Sequence, residues 1–562
     1  MIDILKPIIK KTVSLFFCIV MLLSFYFNAS ASVSSDVAQS EENKNEWARA
    51  QVLSSSLSEI CEMLEKGEIT SEELCEVYIE RINAYDKKGP RLNSIVSLNK
   101  NAIEQAKNLD KERKAGIVRG KLHGVPILVK DNIDVSGFPT TLGKTSLSQD
   151  IKENDAAAVA FLVSQGAIIL GKTNLSTDDE IAKYTVSSII GETRNVYNTA
   201  YSAGGSSGGA AVAVTASFAA ASLATDTNFS LAFPAALNGA VSFRPSYNLV
   251  DYSGCENVAA ARDVVAPVTK TVKDAAIMLD ILTDKASSEP YSSNLDENAL
   301  RGKKVAVVKE LSGYTYNSPN EFKNTDKEIV ALFEEAKKKI EELGGTVVTV
   351  SVPKLFTYYN TCKESSKNSD SAKANLKAEL LKLLEDNGAD AFIFPTYLST
   401  PLPSGFDKYG DHKSTGLNYL NCSGYLPSLV GFPAVNLPMG MHSSGVSAGI
   451  EFVAPFGEDA KLLSLAHSFE VNTAFKKATS IVPNLYDENA KKPEPPKEEE
   501  EENVSSSVST SQDSEGNEQK TFVWQNFAVF IIIAAVLVLC IWVLVFGMKK
   551  PNKKGENKNR HF

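Results

Sequence analysis

Ser202-Ala203-Gly204-Gly205-Ser206-Ser207-Gly208-Gly209, followed by a run of small residues from Ala210 to Ala221, is the most informative stretch of the chain. Two glycine pairs around two serines allow close backbone approach and unusual φ/ψ angles, which a serine on a strained turn needs. The small residues behind them predict a helix whose backbone packs deep in a core. Thr225-Asp226-Thr227-Asn228-Phe229-Ser230 and Pro234-Ala235-Ala236 follow. Taken alone, the glycine-serine hexapeptide reads equally well as a surface loop.

The surrounding pattern gives it a frame. Val125 to Val129 is a short apolar run that predicts a buried strand, and Ala167 to Leu170, Lys304 to Val308, Val347 to Val350 and Ala391 to Phe394 predict further strands. Helical spacing of apolar residues fills Leu57 to Ala84, Ala156 to Val163 and Lys327 to Leu343, and Thr70 with Glu73 forms a capping-box signature. Strands alternating with helices predict an α/β fold, a central sheet covered by helices on both faces. Residues 50–482 are expected to form this single large domain. Gly204-x-Ser206-x-Gly208 also fits the nucleophile-elbow pattern, which requires an apolar strand before it and a histidine after it. Asn195 to Ala203 is polar and irregular, and His412, His442 and His467 stand in no recognisable context, so that reading fails.

Composition narrows the class further. Apolar residues at 43% and charged residues at 22% of 562 are ordinary globular values. With 68 acidic against 58 basic residues the net charge is -10, which gives no support for a nucleic-acid partner. Seven scattered cysteines form no C-x-x-C pair, so neither a structural zinc site nor a redox dithiol is indicated.

The ends predict a compartment. Lys6, Lys10 and Lys11, the apolar stretch Thr12 to Phe27 and then Ala29-Ser30-Ala31 read as a cleavable secretory signal over residues 1–31. A stretch of sixteen residues spans a bilayer poorly, which disfavours an uncleaved anchor. Residues 483–521 carry Pro493, Pro495, Pro496, the glutamates Glu498 to Glu502 and a serine-rich stretch, a composition that predicts a solvated stalk. Phe522 to Met548 carries no charge and is long enough for a transmembrane helix. The basic tail 549–562 is then expected on the cytoplasmic side, with the domain luminal or extracellular.

A further segment upstream ties these elements together: Gly120-Lys121-Leu122-His123-Gly124-Val125-Pro126-Ile127-Leu128-Val129-Lys130-Asp131-Asn132. With the Gly/Ser segment, it resembles the amidase signature family. The likeness extends to Gly171-Lys172-Thr173-Asn174, to Thr271-Val272-Lys273-Asp274-Ala275-Ala276 and to Leu429 through Pro438, covering about residues 55–475. The resemblance implies a Ser-Ser-Lys triad at Lys130, Ser206 and Ser230, the two serines lying twenty-four positions apart. It also implies a cis peptide at Gly205-Ser206, a large domain around a mixed β-sheet, and an oxyanion hole from the backbone N–H groups of Thr227, Asn228, Phe229 and Ser230. No metal and no organic cofactor is implied.

The chemistry follows from the residue types. A serine hydroxyl needs a positioned base. A lysine at its ordinary pKa of about 10.4 is protonated at neutral pH, but burial at a strand end disfavours the ammonium. Neutral Lys130 would draw a proton from Ser206, which draws one from Ser230 as it attacks a carbonyl. The chain departs from the family pattern beside Ser230. Asn228-Phe229 replaces two glycines, and Ala232 stands where an arginine is usual. Phe229 is expected to strain the loop if φ > 0 is needed there, or to crowd the acyl pocket. Ala266-Pro267 replaces Gly-Pro, Arg244-Pro245 replaces Lys-Pro, and the region between Val308 and Phe392 is shortened. The expectation is a membrane-anchored amidase acting on a small-molecule amide. The alternative is a catalytically impaired surface binding protein on the same fold. The amidotransferase component that works on misacylated tRNA shares these motifs, but the secretory signal and acidic charge argue against it.

Overall fold

Eleven strands share one mixed sheet, ordered β1-β3-β2-β6-β8-β7-β12-β13-β11-β9-β10. They are β1 (Ile95–Leu98), β2 (Pro126–Lys130), β3 (Ile168–Thr173), β6 (Ala221–Asp226), β7 (Val241–Arg244), β8 (Val264–Thr269), β9 (Lys304–Val308), β10 (Thr346–Val350), β11 (Ala391–Pro395), β12 (Ala434–Met441) and β13 (Ser447–Val453). β4 (Val186–Ser187) and β5 (Gly191–Glu192) form a separate two-stranded pair. The computed structural model describes residues 46–177, 183–283, 290–313, 325–362, 367–405 and 424–486, together with Met21.

Side chains alternate across a strand, so the two faces of a sheet are read from alternate residues. In β9, Val305 and Val307 enter one hydrophobic cluster while Ala306 and Val308 enter another. In β11, Ile393 joins the first cluster while Phe392 and Phe394 join the second. Both faces are therefore apolar and both are covered, as the unbroken hydrophobic runs require. Helix Lys327–Glu342 sends Ile329, Phe333, Ala336 and Ile340 into the first cluster. Helix Lys367–Asn387 sends Leu376, Leu380 and Leu384 into the second.

The expected helix over Leu57 to Ala84 divides into Leu57–Glu65 and Ser71–Arg81. Thr70 accepts from the Glu73 N–H while the Glu73 carboxylate accepts from the Thr70 N–H, and Ser56 with Glu59 repeats the arrangement. The small-residue helix ends earlier than the sequence reading has it. It runs over Gly208–Thr215, not to Ala221. Ser217 turns the chain at φ 56°, its hydroxyl donating to the Leu53 carbonyl at 2.6 Å, and Ala221 opens β6. Pairing of β6 with both β2 and β8 outweighs the helix propensity of the alanines.

Pro483 to Tyr486 lie against the domain: Arg81 Nη1 donates to the Pro483 carbonyl at 2.7 Å, and Asn484 Nδ2 to the Ala50 carbonyl at 3.1 Å. Apart from Met21 and residues 483–486, the expected signal, stalk, membrane segment and basic tail lie outside the described residues. Among the described residues no helix is long and apolar enough to cross a membrane.

The topology sets the site. β2 and β6 are parallel neighbours, with Val129 opposite Leu223, so Lys130 and Thr225 reach the same end of the sheet. Helix Gly208–Thr215 packs close enough that a Cβ at Gly209 would lie 2.4 Å from Asn174 O and 2.8 Å from Ser94 O. Those atoms are backbone and cannot move aside cheaply. Gly209→Ala is expected to lower the unfolding free energy by about 1–3 kcal/mol, read from urea denaturation of the purified protein.

Candidate active site

Lys130 ends β2 as one of five buried residues in a row, and it is 2% exposed. Its Nζ lies 2.8 Å from Ser206 Oγ, 2.9 Å from Ser207 Oγ and 3.0 Å from Thr225 Oγ1. Three hydroxyls thus converge on one amine. The turn that delivers the serines is pinned from outside: Thr185 Oγ1 donates to the Gly204 carbonyl at 2.8 Å and accepts the Gly208 N–H at 2.9 Å. Gly204 takes φ 73°, and the Gly205-Ser206 peptide bond is cis. The Ser207 N–H donates to the Ser230 carbonyl at 3.0 Å, which ties the glycine-serine turn to the second serine loop.

Lys130, Ser206, Thr227, Asn228, Phe229 and Ser230 all line one cavity of about 720 Å³. The structure brings Lys130 and Ser206 into contact, but among the described residues no hydrogen bond joins Ser206 to Ser230. The Ser230 hydroxyl is instead 3.4 Å from the Thr225 carbonyl and 3.4 Å from Asp226 Oδ1. None of Thr227, Asn228, Phe229 and Ser230 has a positive φ, so the expected strain at Phe229 does not arise. The Phe229 ring is buried and meets Phe233 edge-on at 6.1 Å, part of the core even though the residue borders the cavity. The N–H groups of Thr227, Asn228 and Ser230 meet no acceptor among the described residues.

Several site residues escape the sequence reading. Ser207 and Thr225 lie inside the quoted motifs, and only three-dimensional packing shows that their hydroxyls surround Lys130. Asp226 accepts the Leu231 N–H at 3.1 Å through Oδ1 and Arg244 Nη1 at 2.6 Å through Oδ2. Arg244 ends β7 and is buried, so the pair fixes the start of the Ser230 loop from a strand two positions across the sheet. Glu451 of β13 is fully buried behind this loop, and burial together with the charge of Asp226 raises its carboxyl well above the ordinary range. Nothing local in the sequence marks either contact.

One group of potential metal ligands occurs among the described residues: Asp326, Glu328 and His442. It lies beyond Met441, at the end of β12 opposite the one that pairs with Arg244. His442 Nδ1 accepts the Ser444 N–H at 3.0 Å, which puts the ring proton on Nε2, 3.2 Å from Asp326 and 3.1 Å from Glu328. Hydrogen bonds within the cluster account for it.

The model of a family described as Amidase matches residues 73–366. A glutamyl-tRNA(Gln) amidotransferase polypeptide of a Synechococcus strain is 29% identical over 477 residues, covering 73% of this chain and 94% of that protein. The polypeptide of the same name from Lawsonia intracellularis is 35% identical over 315 residues, 54% of this chain and 63% of its own length. Among solved structures, the native peptide amidase of Stenotrophomonas maltophilia aligns with TM-score 0.66 at 25% identity, covering 76% of this chain and 98% of that one.

Removing one partner of the buried Asp226–Arg244 pair leaves the other charge unpaired. Arg244→Met is expected to cost about 3–5 kcal/mol of stability, and Asp226→Asn/Arg244→Met less than the sum of the two single losses, measured in a double-mutant cycle by denaturant unfolding.

Proposed function

Because the chain belongs to the amidase family and is an amide-hydrolysing enzyme, we propose that it cleaves its substrate through a seryl acyl-enzyme on Lys130, Ser206 and Ser230. The observation that carries this reading is the 2.8 Å approach of Lys130 Nζ to Ser206 Oγ in a cavity that Ser230 also lines. Burial favours the uncharged amine. Lys130 takes the Ser206 proton, Ser206 takes the Ser230 proton, and Ser230 Oγ bonds to the carbonyl carbon. The oxygen gains negative charge beside the N–H groups of Thr227, Asn228 and Ser230, a donor of this kind contributing about 3 kcal/mol in comparable sites. As the C–N bond breaks, Ser206 returns a proton to the leaving amine. Water then attacks the ester and releases the acid.

The relay asks for one rearrangement: the Ser230 hydroxyl turns from the Thr225 carbonyl toward Ser206. Catalytic hydrogen bonds commonly tighten only when substrate is bound. The present direction of that hydroxyl, with Asn228-Phe229 before it, favours a second reading in which the cavity binds a ligand without cleaving it. A fluorophosphonate probe separates them. Label is expected on the parent protein, none on Ser230→Ala, and at least tenfold slower labelling of Lys130→Ala; a folded parent that takes no label supports the binding reading.

The tRNA substrate in the names of the amidotransferase relatives is not carried over. The net charge of -10 and the secretory signal read over residues 1–31 both argue against it. We further propose a type I membrane enzyme, anchored by residues 522–548 through the stalk 483–521, with the domain luminal or extracellular and residues 549–562 cytoplasmic. The full chain is expected to stay in the membrane pellet after alkaline carbonate washing. A chain stopped at residue 521 is expected in the soluble fraction; recovery of both in the same fraction refutes the anchor.

A further inference from the structure

Four charged residues line the cavity among those described: Lys130, Lys144, Glu256 and Arg262. Lys144 and Glu256 are exposed, whereas Arg262 is half-buried. Its backbone is fixed on both sides: the N–H donates to the Ala259 carbonyl at 2.8 Å, and the carbonyl accepts Arg244 Nη2 at 2.7 Å. Asp263 holds the same loop closed by accepting the N–H groups of Val258 and Ala259, each at 2.8 Å. The guanidinium carbon stands 5.8 Å from the centre of the Tyr425 ring, and Nη1 donates to the Tyr425 hydroxyl at 3.3 Å. Tyr425 is itself buried edge-on against Tyr359 at 4.9 Å.

The group is thus positioned but underused. A guanidinium offers five N–H donors in a planar fork suited to a carboxylate. Among the described residues that single long bond to Tyr425 is the only hydrogen bond its side chain makes, and it forms no ion pair. The same cavity holds two acceptors in the opposite situation. Asn132 Oδ1 and Asn228 Oδ1 are buried with no donor. Unmet buried polar atoms are costly, and a ligand that supplies their partners recovers that cost. An N–H donor near the asparagines and a carboxylate at the arginine answer both.

We propose that Arg262 makes the cavity selective for amides that carry a carboxylate, an inference that rests on the amide-hydrolase reading of the same cavity. The test uses the full chain as Ser230→Ala, which holds such a ligand uncleaved. Calorimetric titration compares N-butylsuccinamic acid with N-butylpentanamide, and N-pentanoylglycine with N-propylpentanamide. The first pair places the acid on the acyl side and the second on the amine side. At least one acid is expected to bind about tenfold or more tightly than its neutral counterpart. Adding Arg262→Leu is expected to abolish that preference, and Arg262→Lys to keep part of it, since a point charge replaces a fork. Equal affinities for acid and neutral ligand, a preference that survives Arg262→Leu, or no measurable binding of either acid overturns the proposal. Fluorophosphonate labelling of Ser230 in the Arg262→Leu protein reads the hydrolase independently. A labelled protein without acid preference removes the carboxylate selectivity alone.

Discussion

The convergence of three hydroxyls on the buried amine of Lys130 constrains everything around it. An amine can be held at 2% exposure only if its hydrogen-bonding capacity is met by neighbours. Ser206, Ser207 and Thr225 come from two segments, so the turn before helix Gly208–Thr215 and the end of β6 must arrive together at the end of β2. That requirement explains the parallel pairing of β2 with β6 and the absence of a side chain at Gly209. It also explains why the serine turn is bonded on one side to Thr185 and on the other to the Ser230 carbonyl.

How far the sequence reveals this depends on where each signal resides. Strands β2, β9 and β11 are mostly apolar runs, and they and the valine-rich, partly exposed β10 are legible within a residue or two at each end. The capping boxes at Ser56 and Thr70 encode their geometry within four residues, though only the Thr70 box is singled out from sequence. Lys130 and Ser206 are legible as a pair only through family resemblance; neither spacing nor propensity joins residues seventy-six positions apart. The Asp226–Arg244 pair and the buried Glu451 depend on strand order, and the contact of Arg262 with Tyr425 depends on how a loop meets helix Tyr425–Val430. No local pattern specifies that β7 and β13 stand near β6. The end of the small-residue helix escapes sequence reading for a related reason, because alanine satisfies both a helix and a tightly packed interior strand.

The Asn228-Phe229 replacement changes the site less by strain than by chemistry. Both residues avoid positive φ, and Phe229 places its ring against Phe233, which in turn meets Tyr397 edge-on at 5.8 Å. The backbone donors of the loop survive, since any residue other than proline carries an N–H. Asn228 adds a side-chain acceptor that a glycine lacks, and that acceptor is buried without a partner. The departure therefore adds an unmet acceptor to a residue that lines the cavity while leaving the backbone donors in place.

Charge placement follows the same logic. Asp226, at the end of β6, takes its cation from β7: Arg244 Nη1 lies 2.6 Å from Asp226 Oδ2. A cation held on a strand is fixed by the sheet and does not move with the loop it steadies. Its second terminal nitrogen bonds the carbonyl of Arg262 at 2.7 Å, so the residue that braces the Ser230 loop also braces the loop presenting a second arginine to the cavity. Two like charges on adjacent segments repel unless each is compensated. Asp226 compensates the first, and the face of Tyr425 only partly compensates the second. Arg262 lines the cavity, so the carboxylate proposed for the substrate is the electrostatic complement of its partly compensated charge.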